Sequence, residues 1–204
     1  MLITFDQKEY QKLNDKSYQL EKRRLQIELL KLQEDVIKNN RRLCIIFEGR
    51  DTAGKSSTFQ FFSQYLIPKN FAYVNLGIPT KWESSHWFKR WKKVIPKKGE
   101  IAFLDRSWYT RALTEPVMGY CTEKQYIDFM EKVIPWEEKL IYEGVEIIKF
   151  YFSLSKDQQK RRTPSLVKAL DEYQRLCSWE GDKTGGQWLS KFSPIRFNRY
   201  NTGT

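Results

Sequence analysis

The sequence predicts an α/β fold of three layers, α/β/α, with a mainly parallel sheet and a long N-terminal helix. Three observations lead there. Short apolar runs alternate with segments of helical periodicity, the order of a parallel α/β sheet. A glycine-bearing octet, Gly49-Arg50-Asp51-Thr52-Ala53-Gly54-Lys55-Ser56, joins the first run to the helix behind it. Residues 7–38 hold a polar–apolar pattern without Gly or Pro.

Each element follows from its residues. In 7–38, Tyr18, Leu25, Leu29, Leu32 and Val36 fall on one helical face, and Asn39-Asn40 supplies a stop. That face suits packing on the domain; a helix shared with a second subunit fits the same pattern. Leu43-Cys44-Ile45-Ile46-Phe47 is a buried parallel strand. Phe59, Phe62 and Leu66 recur at helical spacing until Pro68 ends the helix. Phe71 to Leu76 is a second strand. Residues 82–95 (WESSHWFKRWKKVI) read as one helix, aromatic on one side and basic on the other. Lys97-Lys98-Gly99 turns the chain into a third strand, Ile101-Ala102-Phe103-Leu104, ending at Asp105. Residues 123–143 are helical, with Tyr126, Phe129, Met130, Val133 and Leu140 apolar and Pro135 expected to kink the helix. Glu146 to Leu154 is a fourth strand, and residues 166–177 suit a short helix. Beyond that the chain has no clean period.

Length and composition bound the rest. With 204 residues, 40% hydrophobic and 15% aromatic, the chain is expected to form a single domain, 1–204. Its parts are an N-terminal helix (7–38), a core (41–162) and an atypical C-terminal region (163–204). No apolar run approaches the roughly 18 residues of a membrane span. The first turns carry Asp6, Glu9 and Asp15, unlike a secretory signal. Cys44, Cys121 and Cys177 lie far apart without zinc spacing, which suits reduced thiols and a cytoplasmic protein. Lys and Arg total 36 against 25 acids, a net +11. That charge attracts nucleic acid, nucleotides and inorganic polyphosphate alike, and does not choose among them.

The octet fits G-x-x-x-x-G-K-[ST], the P-loop that cradles phosphates. Glycines let backbone N–H groups close around phosphate oxygens, and the helix N-terminus adds positive potential. Lys55 would meet the outer phosphates and Ser56 a magnesium ion. The fold is therefore P-loop NTPase-like. Such a site needs a carboxylate at a neighbouring strand end, and Asp105 closes the run Ile101–Leu104. Asp51 is an acid inside a phosphate loop, suited to magnesium or to the chemistry of an incoming phosphate. Arg106 and Arg111 follow Asp105 in the segment DRSWYTR, and planar guanidinium groups clamp phosphate oxygens. Arg90 is in reach of the same cleft, and Lys160, Arg161 and Arg162 suit a lid over phosphates. His86, the single histidine, has no nucleophile elbow beside it and reads as structural or cleft-lining. Trp82, Trp87, Trp91 and Trp108 read as core.

These residues resemble the polyphosphate kinase type 2 family. The resemblance rests on FEGRDTAGKSS (47–57), TKWESSHWFKRW (80–91), GEIAFLDRSWYTRALTEPVMGYCT (99–122) and FYFSLSKDQQKRR (150–162), and runs from the N-terminal helix to about Arg162. It implies a phosphotransferase acting between inorganic polyphosphate and nucleotides, ADP/ATP or GDP/GTP with AMP as a further candidate acceptor, with Mg2+ or Mn2+. It implies catalytic roles for Asp51, Lys55, Asp105, Arg106, Arg111 and Glu115. The residues read by themselves assign phosphate and nucleotide binding to Gly49, Arg50, Thr52, Ala53, Gly54, Lys55, Ser56, Ser57, Arg90, Lys160 and Arg161, and the metal to Asp51, Ser56 and Asp105. The resemblance also implies a homo-oligomer, dimer or tetramer, and polyphosphate rather than nucleic acid as the polyanion. Family members continue with a lid holding an Asp-Pro step and a Trp-Lys-x-Ser run, then a last core strand; this chain has Thr163-Pro164-Ser165 where that lid would begin. Two other readings fit the residues: an ATP-dependent nucleoside or nucleotide kinase, and a catalytically silent polyanion binder.

Overall fold

The structure is a computed structural model that describes residues 12–162, the side chain of Lys160 excepted. The expected helix at 166–177, the whole region 163–204 and the start of the first helix at 7–11 lie outside the described residues. Four parallel strands form the sheet: β1 (Arg42–Gly49), β2 (Phe71–Val74), β3 (Glu100–Asp105) and β4 (Val145–Phe152), in the order β2-β3-β1-β4. Parallel neighbours need crossovers, and helices supply them.

Period-two alternation splits the apolar side chains between two layers. Leu43, Ile45, Phe47, Ile101 and Phe103 meet the layer of α1 (Asp15–Lys38) and α2 (Lys55–Ser63). Cys44, Ile46, Ala102 and Leu104 meet the opposite layer, built by α4 (Trp87–Lys92), α5 (Thr110–Leu113) and α7 (Glu123–Tyr142). Burial on both faces explains the unbroken apolar run of β1 and pushes the Cys44 thiol up to about 12.

α1 begins at Asn14, whose side chain accepts the Ser17 N–H. Its C-terminal half packs as expected: Val36 is buried, and Gln33 pairs with both the N–H and the carbonyl of Ile67 at 2.7 and 3.0 Å. Tyr18 and Leu25, expected on the same packed face, are half exposed instead. The helix outruns its support, since 24 residues span about 36 Å against about 27 Å for the eight-residue strand β1.

The helix expected over 82–95 is two helices. α3 (Lys81–Ser85) starts at a Thr80–Glu83 capping box, and the chain bends at His86, φ −119° and ψ 49°, before α4. The bend turns Trp87 and Trp91 into the core, with the Trp87 indole N–H on the Trp108 carbonyl at 3.0 Å. Trp82 departs from the core assignment: it is half exposed and stacks on His86 at 4.4 Å. α7 starts at a Thr122–Gln125 capping box, contains Pro135, and buries Phe129, Val133 and Leu140. Two short helices, α5 and α6 (Glu115–Met118), follow β3, and α8 (Lys156–Arg162) follows β4. No helix of the described residues is long and apolar enough to cross a membrane.

From β1 the chain moves to one side for β2 and β3 and to the other for β4. A crevice opens at the C-terminal edge where the direction reverses, and ligands of open α/β sheets bind in such crevices.

Candidate active site

The phosphate loop leaves β1 at Gly49, where backbone geometry admits no other residue. Its φ is +132°, and an added Cβ would lie 2.3 Å from the Phe152 carbonyl oxygen on the paired strand β4. Gly54, φ +102°, starts α2 with open space around it, so only its dihedral demands glycine. Thr52, φ +63°, is a left-handed residue without that licence.

Lys55 is buried and folds back on the loop, its ammonium donating to the carbonyls of Gly49 and Arg50 at 3.1 and 3.0 Å. Burial, reinforced by the Arg106 charge, lowers its pKa. The Ala53 N–H bonds the Arg50 carbonyl at 3.2 Å, so Gly49, Arg50 and Ala53 shape the loop. Thr52, Lys55, Ser56 and Ser57 face a cleft of about 410 Å³ with Asp51, Asp105 and Arg106.

Asp105 ends β3 one strand away. Ser56 donates its hydroxyl to Asp105 Oδ2 at 2.8 Å. The next residue, Arg106, is left-handed at φ +68°, held there by its N–H on the Phe47 carbonyl at 2.9 Å. That conformation turns its guanidinium across the cleft to an ion pair with Asp51, and to Thr114 Oγ1 at 3.1 Å. Ser107 donates to the buried Glu48 at 2.6 Å and accepts the Tyr109 N–H at 3.2 Å, fixing the loop from below. Burial raises the Glu48 pKa against the pull of that hydroxyl.

Arg90 and Arg111 are placed differently from the sequence reading, which put both on phosphates. Arg90 is 2% and Arg111 1% exposed. Arg90 donates to the carbonyls of Leu76 and Gly77 at 2.8 and 2.7 Å. Arg111 donates to the Ser84 carbonyl at 3.0 Å and pairs with Glu115 at 2.7 Å, in an approach where the N–H does not point along a hydrogen bond. Both guanidinium groups lie against the Trp87 ring, 5.5 and 4.2 Å from its centre. The aromatic layer holds them beneath the cleft wall. Glu115 reaches a neighbouring apolar hollow of about 200 Å³ walled by Leu76, Ile78, Pro79, Trp91 and Tyr120, and burial raises its pKa against the Arg111 charge.

On α8, Arg161 is exposed and Arg162 donates to the Thr52 carbonyl at 3.3 Å, while the Lys160 side chain lies outside the description. Sequence reasoning missed Tyr73, which donates to Asp105 at 2.7 Å, Asn75 on the cleft wall, and the Glu48–Ser107 contact. It also missed a buried ion pair, Lys149–Glu137 at 2.7 Å, whose carboxylate accepts the Trp108 indole N–H at 2.6 Å. Lys149, a single charge in the apolar run IIKFYF, was the available signal, but its partner lies on another element.

Among the described residues no three or more His, Cys, Asp or Glu group as a metal cage. Mg2+ is held instead by one or two carboxylates with substrate phosphates and water. The hydroxyl of Ser56 bonded to Asp105, with Asp51 on the same cleft, suits that donor set.

Comparison with known proteins bears on the family and the fold. The chain is 39% identical over 155 residues to an NDP-polyphosphate phosphotransferase 2 of Ruegeria pomeroyi, covering 76% of this chain and 45% of that protein. It is 40% identical over 153 residues to a GDP-polyphosphate phosphotransferase of Mycolicibacterium smegmatis, covering 74% and 54%. The chain thus spans about half the length of these relatives. The crystal structure of polyphosphate kinase 2 from Arthrobacter aurescens TC1 shares the fold, with a TM-score of 0.68 at 24% identity over 82% of this chain and 61% of that one. The family model described as Polyphosphate kinase 2 (PPK2) matches residues 12–172, and the chain belongs to that family.

Proposed function

We propose that this chain transfers a phosphoryl group between inorganic polyphosphate and a nucleoside diphosphate, with Mg2+. One observation carries the reading: the phosphate loop, the Ser56–Asp105 contact and the left-handed Arg106 converge on one polar cleft, in a member of a family whose relatives are named for this transfer.

The chemistry is an in-line displacement. A terminal oxygen of the acceptor's last phosphate attacks the end phosphorus of the polymer; the bridging P–O bond breaks, and the shortened polymer leaves with that electron pair. Mg2+ bound at Asp105, Ser56 and Asp51 would offset phosphate charge. Loop amides and Lys55 hold one phosphate chain, with Lys55 moving from the Gly49 and Arg50 carbonyls to phosphate. Arg106 faces the charge that spreads over the equatorial oxygens, and Asp51 holds its guanidinium until substrate arrives. Glu115, at the apolar hollow, suits contact with the nucleoside side of the acceptor. Arg111 and Arg90 act through Glu115, Ser84 and the 76–77 carbonyls rather than on phosphate. We further assign the exposed apolar residues Leu20 and Ile27 of α1, seven residues apart on one face, to a homo-oligomer contact, to be checked by light scattering of Leu20→Glu/Ile27→Glu.

The test is luminescent detection of ATP, and its GTP counterpart, from the diphosphate, long-chain polyphosphate and Mg2+. Lys55→Ala should lower turnover by about 100-fold or more. Formation of the diphosphate from a nucleoside monophosphate with ATP as sole donor, and no response to polyphosphate, would replace this reading by an ordinary nucleotide kinase.

A further inference from the structure

Two hydroxyl groups donate to one oxygen of Asp105. Ser56 Oγ reaches Oδ2 at 2.8 Å and Tyr73 OH reaches the same atom at 2.7 Å. No donor among the described residues bonds Oδ1. Ser56 belongs to the phosphate loop; Tyr73 comes from β2, outside that loop.

The sheet accounts for the meeting. Tyr73 is level with Phe103 in the parallel register, and Asp105 lies two residues further along β3 on the same face. The offset is about 7 Å along the strand, within the length of a tyrosine leaning in the strand direction. Phe59 of α2 packs on the Tyr73 ring, centres 4.3 Å apart and planes at 31°, so the ring cannot swing towards the helix. Asp105 and Ser56 border the cleft, and Tyr73 meets them through Asp105 Oδ2.

A carboxylate turns about its last bond unless its oxygens are held, and groups that hold a metal's ligand tune its affinity. We propose that Tyr73 is a positioning residue for the divalent cation: with Ser56 it pins Asp105 Oδ2 and leaves Oδ1 as the oxygen that accepts the ion. This rests on the reading of Asp105 as a metal-holding carboxylate.

The experiment titrates the full chain, with ADP and without polyphosphate, with Mn2+ followed by its EPR signal. Wild type is compared with Tyr73→Phe, which keeps the ring on Phe59, and with Asp105→Asn; thermal melts confirm that both fold. Tyr73→Phe should weaken Mn2+ about tenfold, the low end for such partners because Tyr73 is 42% exposed and water can replace its hydroxyl. The Mg2+ needed for half-maximal turnover should rise by the same factor, with the rate at saturating Mg2+ changed less than about twofold. Unaltered Mn2+ affinity in Tyr73→Phe, with a loss in Asp105→Asn, overturns the role of Tyr73 and spares that of Asp105. Unaltered affinity in Asp105→Asn, or no Mn2+ binding by wild type, overturns both.

Discussion

Ser107 donates its hydroxyl to Glu48 over 2.6 Å, with both residues shut away from water. The contact ties the end of β1 to the turn after β3, two residues from Asp105 on one side and from Tyr109 on the other. A carboxylate buried directly before the phosphate loop lowers stability at neutral pH, and through Ser107 it braces the turn in which Arg106 is left-handed.

Glu48→Gln should therefore separate stability from activity. Burial raises the folded pKa of Glu48 above its ordinary 4.5, so the folded state binds this proton more tightly than the unfolded chain. The stability it contributes is complete below the ordinary value and is lost as pH rises through the raised one. Urea midpoints should favour the variant at pH 8 and converge towards wild type near pH 4, while kcat/KM falls by about tenfold or more from loss of a charged hydrogen bond. A midpoint difference that is independent of pH would assign the shift to another group.

Gly49→Ala should unfold the chain more readily than Gly54→Ala. At Gly49 the new methyl meets the Phe152 carbonyl at 2.3 Å on top of a positive φ, whereas at Gly54 the dihedral alone resists. We expect about 3 kcal/mol or more for the first, a fall in Tm of roughly 10 °C, and about 1–2 kcal/mol for the second. Differential scanning calorimetry ranks the two, and equal losses would contradict the contact with β4.

Arg106→Lys keeps the charge and loses the fork that reaches Asp51 and Thr114 together. Turnover should drop by about 100-fold with the fold intact, because in the proposed mechanism the lost interaction faces charge developed in the transition state. A rise in KM at constant kcat would instead make Arg106 a substrate-binding group.

Lys149→Met removes a partner of the buried Glu137 carboxylate, which the Trp108 indole also contacts. Breaking such a pair from one side costs about 3–5 kcal/mol, and Lys149→Met/Glu137→Gln should recover part of it. Denaturant unfolding of the cycle measures the coupling; additive losses would mean that the pair does not act as a unit.

The chain's order of strands and helices, the glycine octet and the acid after the third apolar run were all legible in the sequence, because they are local patterns of period and spacing. Val36, Phe47 and Phe103 are buried where alternation and helical spacing put them. The break at His86 was not legible, since WESSHWFKRW has a helical pattern throughout and only the demand to bury Trp87 and Trp91 bends it.

The sequence by itself determined the family, the three-layer fold and the loop, strand-end aspartate and arginine that make the cleft. Only the tertiary structure decided where each cation lies. Arg106 crosses the cleft because one backbone residue is left-handed, while Arg111, five residues on, is drawn under the wall by Trp87, Ser84 and Glu115. Tyr73 reaches Asp105 through strand register. A guanidinium or hydroxyl has the same chemistry in every sequence context; its partners are set by contacts between elements distant in the chain, which no local period encodes.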